Sequence, residues 1–98
     1  MQNNTAPIMP EQSQTLLITN QRGLHARAAA KFVKVSGQFQ ATILVYKGEL
    51  EAQGTSIMGL MMLAASKGSS IEVRANGVDA AEAVAAIAEL VTGNFGEE

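Results

Sequence analysis

The sequence predicts an α+β open-faced β-sandwich, a four-stranded antiparallel sheet with three helices on one face. Leu16 and Ile18, then Ile43 and Val45, then Ile71, Val73 and Ala75 recur with the two-residue period of half-buried strands. Ala29, Phe32 and Val33, and later Val84, Ile87 and Val91, recur at helical spacing. Lys47-Gly48 and Asn76-Gly77 are turn signals between these runs. The resulting order is β-α-β-β-α-β-α. Alternating strands need one covered face, and amphipathic helices supply the cover.

Residues 1–10 are polar, carry Pro7 and Pro10, and read as a disordered tail ahead of one domain over 11–98. The first strand falls within Glu11 to Thr19, with Leu17 the one apolar residue on its outer face. Asn20 to Gly23 is a turn in which Gly23 is free to take a positive φ. The first helix runs from about Ala26 to Val35 and ends at Ser36-Gly37. Gln40 to Tyr46 is the clearest strand, rich in residues that favour extended structure. Glu49 to Gln53 returns as an edge strand, with Glu49 and Glu51 discouraging edge-to-edge pairing. Ser56 is a good N-cap for a short helix over Ile57 to Leu63. That run is apolar nearly all round, so it is either buried or presents a patch to a partner. Its methionines suit core filling and multi-partner surfaces alike. After the turn Ser66 to Ser69, Ser70 to Ala75 is the fourth strand, and Asp79 lies in the first turn of the last helix. Gly93 stops that helix, and Asn94 to Glu98 reads as a short acidic tail.

Composition excludes several function classes. A chain of 98 residues with 47% apolar content fits one domain with a two-layer core. A net charge of −2 argues against a nucleic-acid partner, which needs a basic stripe. With no Cys and one His, neither a disulfide framework nor a structural metal site is expected. The longest apolar-rich run, Ser56 to Ala65, is too short to span a bilayer. The N-terminus lacks a basic segment followed by an apolar one, so a cytoplasmic protein without membrane association is the expectation.

The only histidine, His25, sits between the Gln21-Arg22-Gly23 turn and the first helix. A helix start carries unpaired N–H groups and about half a unit of positive charge. Such a site binds anions and disfavours imidazolium, so His25 is expected to be neutral, with a free ring nitrogen. Arg27 adds a guanidinium suited to phosphate oxygens. Together these groups make a plausible phosphoryl acceptor, although on spacing alone a lone histidine near a helix start is more often a surface or capping residue than a nucleophile.

Gly23-Leu24-His25-Ala26-Arg27 ahead of an alanine-rich helix with Phe32-Val33 resembles the active-site signature of the histidine-containing phosphocarrier protein family, HPr, of the bacterial phosphotransferase system. Ser56-Ile57-Met58-Gly59 begins thirty-one residues beyond His25, where that family places a regulatory serine, and Lys67-Gly68 precedes an alternating strand as it does there. The resemblance covers about Gln14 to Val91. It implies that His25 takes a phosphoryl group on Nδ1 from enzyme I and passes it to an EIIA-type domain. Arg27, with the backbone at Ala26 and Ala28, would hold the phosphate. Ser56 would be the target of HPr kinase/phosphorylase, and Met58, Leu60 and Met61 would dock partners. The family commonly has proline where this chain has Ala28; alanine permits the helix and adds an N–H, so altered transfer kinetics are expected and function is kept. The alanine-rich segments and the Gly-Asn-Phe-Gly-Glu-Glu ending resemble the nitrogen-related branch.

No G-x-x-x-x-G-K-[ST] loop is present, so nucleotide binding by the chain itself is not expected, nor is any cofactor. The expectation is a monomeric, covalently modified carrier and not an enzyme. The rival is a regulatory protein-binding module of the same fold acting through Ser56, which would have no need of His25.

Overall fold

The computed structural model describes residues 11–97, so the expected disordered segment 1–10 and the terminal Glu98 lie outside the described residues. The elements are β1 Gln12–Leu17, α1 Ala26–Ser36, β2 Thr42–Lys47, β3 Leu50–Gln53, α2 Ile57–Met62, β4 Ser70–Asn76 and α3 Ala80–Thr92, followed by a 3-10 turn at Asn94–Gly96. The four strands form one antiparallel sheet in the order β1-β4-β2-β3. That is the expected open-faced arrangement, with β3 at the edge.

Register follows the alternation. Leu16 opposes Ile71 across β1 and β4, and Val45 opposes Val73 across β2 and β4. All four are buried, so one face of the sheet is apolar throughout its centre. Helices α1 and α3 cover this face with Ala28, Ala29 and Phe32 from one and Ala83, Val84, Ile87 and Val91 from the other. Ala28, Ala29 and Ala83 are fully buried small side chains, and Phe32 is among the largest side chains of the core. The opposite face is open, and there the Arg74 guanidinium lies 4.4 Å over the Tyr46 ring.

Three local readings change. Asp79 is the N-cap position of α3 but makes no cap bond to it; its carboxylate accepts from the Gln40 N–H at 2.9 Å and ties the helix start to the loop before β2. Leu60, expected on the partner surface, is fully buried beneath α2 and belongs to the core. A six-residue helix lying on the protein must turn one side inward, and Leu60 is that side. The acidic tail, finally, is an ordered element. Phe95 is completely buried, although it has φ +55°, and it joins the core next to α3. Burial of one aromatic side chain contributes about 1.5–3 kcal/mol. That gain offsets the cost of placing Asn94 and Phe95 in the left-handed region, where side chains with a Cβ are disfavoured.

Candidate functional site

His25 is itself the N-cap of α1. Its backbone is extended (φ −78°, ψ 179°), and its carbonyl accepts the first bond of the helix, from the Ala29 N–H at 2.8 Å. The three amides before it point out of the helix start. One of them, Arg27 N–H, reaches the His25 ring and donates to Nδ1 at 3.3 Å. The turn that delivers His25 depends on Gly23, whose φ is +66°. A Cβ there would stand 2.5 Å from the Ala65 carbonyl oxygen, so the chain needs glycine for both conformation and space. Leu24, buried, anchors the next position, and its N–H donates to that same carbonyl at 2.9 Å. Arg22, Leu24, His25, Ala64, Ala65 and Ser66 line an open depression of about 210 Å3 beside the ring.

The other ring nitrogen has a partner that lies far away in sequence. Nε2 stands 2.5 Å from Glu97 Oε2. The second Glu97 oxygen accepts from Asn20 Nδ2 at 3.1 Å, and the same Nδ2 donates to the Gly23 carbonyl at 2.8 Å. Asn20 is buried, and with its NH2 facing two oxygens its amide orientation is determined. Further bonds hold the segment that carries Glu97. Lys31 Nζ donates to the Phe95 carbonyl at 2.6 Å, and Thr19 Oγ1 donates to Asn94 Oδ1. Hydrogen bonds from His25 and then from Asn20 hold the Glu97 carboxyl below its ordinary value of 4.5. With an N–H donor at Nδ1 and a carboxylate at Nε2, the ring is set as the Nε2–H tautomer, leaving the Nδ1 lone pair on the side of the helix amides.

The ring is mostly covered: its side chain is 15% exposed, and Glu97 lies against its Nε2 edge. Arg27 is exposed on the first turn of α1. Ala28, expected to help hold phosphate, has its methyl group fully buried, so only its backbone faces the helix start. Ser56 caps α2, its Oγ accepting from the Gly59 N–H at 2.9 Å. On that helix Met58 and Met62 are 70% and 73% exposed, and Ile57 and Met61 are exposed as well. Met62, which the sequence leaves open between core and surface, belongs to this apolar surface. Glu97, Asn20 and Lys31 were missed by sequence reasoning. The one local signal was Phe95, an aromatic residue flanked closely by Gly93 and Gly96 in a segment that otherwise reads as a tail. Among the described residues no group of His, Cys, Asp and Glu has the geometry to hold a metal ion, and no helix is long and apolar enough to cross a membrane.

A family model described as the PTS HPr component phosphorylation site matches residues 12–93. The chain belongs to the HPr family. Phosphocarrier protein HPr of Neisseria meningitidis serogroup A is 49% identical over 84 residues, covering 86% of this chain and 94% of the relative. Phosphocarrier protein NPr of Shewanella violacea is 38% identical over 89 residues, covering 91% and 98%. Relatives under both names thus match nearly the whole domain. Among solved structures, HPr-C-His from Thermoanaerobacter tengcongensis superposes with a TM-score of 0.85 at 40% identity, over 89% of this chain and 98% of that one. HPr-family membership, the open-faced fold and the sequence signature thus agree.

Proposed function

We propose that this HPr-family chain is a cytoplasmic, monomeric phosphocarrier that accepts a phosphoryl group on Nδ1 of His25 from phosphorylated enzyme I and passes it to an EIIA-type domain. The observation that carries the reading is the double restraint on the ring, which leaves Nδ1 unprotonated at the start of α1. Transfer between two imidazoles needs alignment and charge stabilisation more than proton transfer. The amides of Ala26, Arg27 and Ala28 and the Arg27 guanidinium are the groups here that stabilise the incoming charge. A backbone N–H at Ala28, in place of the family's proline, adds a donor at that end.

Partners dock on the exposed part of α2, Met58, Met61 and Met62, together with the outer side of the first turn of α1. Flexible methionines suit a surface that must accept more than one protein. Phosphorylation of Ser56 by HPr kinase/phosphorylase would add about −1.5 to −2 charges beside this apolar patch. The start of α2 tolerates that charge, so regulation acts on docking and leaves the fold intact. Met58→Lys is expected to weaken enzyme I binding at least severalfold while stability stays within about 0.5 kcal/mol, as is usual for exposed sites; titration calorimetry and thermal melts check the two halves.

The decisive test is incubation with enzyme I and phosphoenolpyruvate, followed by intact-mass measurement. The expected result is an acid-labile gain of one phosphoryl group that His25→Ala abolishes. No gain with an enzyme I that modifies a known HPr would leave only the regulatory binding module.

A further inference from the structure

The segment after α3 closes over the functional histidine from the far end of the chain. Phe95 anchors it in the core, Lys31 and Thr19 fix it from α1 and from the end of β1, and Asn20 ties Glu97 to the same turn that presents His25. Both carboxylate oxygens of Glu97 are engaged, one by Asn20 and one by the ring. A carboxylate held this firmly does more than pair with a neighbour: it determines which ring nitrogen carries the proton.

We infer that Glu97 is a positioning residue for phosphoryl transfer, holding the proton on Nε2 of His25 and balancing the positive charge the ring gains when Nδ1 is phosphorylated. The inference rests on the reading of His25 as phosphoryl acceptor. In the step itself, the Nδ1 lone pair forms the new N–P bond. The N–P bond of the donor's phosphorylated imidazole breaks, and its electron pair stays on the donor nitrogen. No proton leaves His25, because Nδ1 carries none. The ring therefore becomes a phosphoimidazolium whose Nε2–H already faces the Glu97 carboxylate. The same contact serves the reverse direction, since a phosphoimidazolium keeps a good leaving group when the phosphoryl moves on. This resembles the way a buried carboxylate orients and supports a catalytic imidazole in hydrolases, with the carboxylate here supplied by the segment that follows α3. Lys31, whose ammonium is held at the Phe95 carbonyl, adds a positive charge that helps keep the Glu97 carboxylate ionised.

The test uses the full-length chain with ring-15N labelled histidine. In the unmodified protein, 15N–1H correlation spectra should show the Nε2–H tautomer. Glu97→Ala should shift the ring signals toward the mixture seen for free imidazole and slow phosphorylation by enzyme I about tenfold, the size of one charge-assisted hydrogen bond. Glu97→Gln keeps an acceptor for Nε2–H without the charge. It should therefore hold the tautomer and still lose part of the rate, through kcat and not KM, which a merely structural role would not produce. An Ala variant with unchanged ring shifts and unchanged rate overturns the inference. The spectra need no donor protein, so they read Glu97 independently of the carrier assignment. A wild-type ring held as Nε2–H that takes no phosphoryl group from a competent enzyme I would remove that assignment, and the inference with it.

Discussion

Two helix starts in this molecule use the same device to different ends. Ser56 and His25 both stand at the N-cap in extended backbone, and both accept a helix N–H on the side chain. At Ser56 the bond is 2.9 Å long and goes to the third amide on, Gly59, as in an ordinary serine cap. At His25 it is 3.3 Å long and goes only two residues on, to Arg27. The histidine is the poorer cap. What it has and Ser56 lacks is a second, stronger restraint, brought by a segment seventy-two residues away. Ser56 stabilises its helix through one bond, whereas His25 is held chiefly through its other ring nitrogen, and on the proposed function its reacting atom is the loosely engaged one.

Breaking the remote restraint should have the largest effect. Phe95→Ala removes a fully buried ring and is expected to cost about 3–5 kcal/mol of stability in chemical denaturation. In what remains folded, the His25 ring should become as mobile as an ordinary surface side chain in 15N relaxation. A ring that stayed fixed would mean the C-terminal turn contributes nothing to it.

Next in size comes the serine. Ser56→Ala should cost about 1 kcal/mol in the same assay, and Ser56→Asp should recover most of it by supplying another capping oxygen. Equal losses in both variants would contradict the account of Ser56 as a cap whose oxygen an aspartate can replace.

These two segments also divide what the sequence discloses from what it hides. The capping role of Ser56 and the start of α1 at His25 were legible because they are local. Capping residues, a glycine-bearing turn and helical periodicity act within a few positions, and the strand alternation that put Leu16, Val45 and Val73 inward follows from the pleat alone. Leu60 was misplaced because an all-apolar run does not declare which side faces in, and a short helix takes that decision from what lies beneath it. The Glu97 contact was out of reach for a stronger reason. It depends on three successive positive φ angles at Asn94, Phe95 and Gly96, which turn the chain back on itself; polar composition near a terminus suggests only a tail. Asn20 read as one more turn residue, and nothing local marks it as the bridge between Gly23 and Glu97.

The smallest effect is one of pH. Because the Glu97 carboxyl is held below its ordinary value, its contribution to stability is present above pH 4.5 and is lost as the pH falls through the lower folded-state value. The gap in Tm between the wild type and Glu97→Gln should accordingly close on acidification below that point. A gap independent of pH across this range would show that the carboxylate charge is not what holds the segment in place.

The central claim is that Nδ1 of His25 is the reacting atom. Its most direct test is the 15N and 31P spectrum of the ring-labelled chain after incubation with enzyme I and phosphoenolpyruvate. The account predicts phosphorus coupled to Nδ1, with the proton still on Nε2. Phosphorus on Nε2, the nitrogen that faces Glu97, would contradict it.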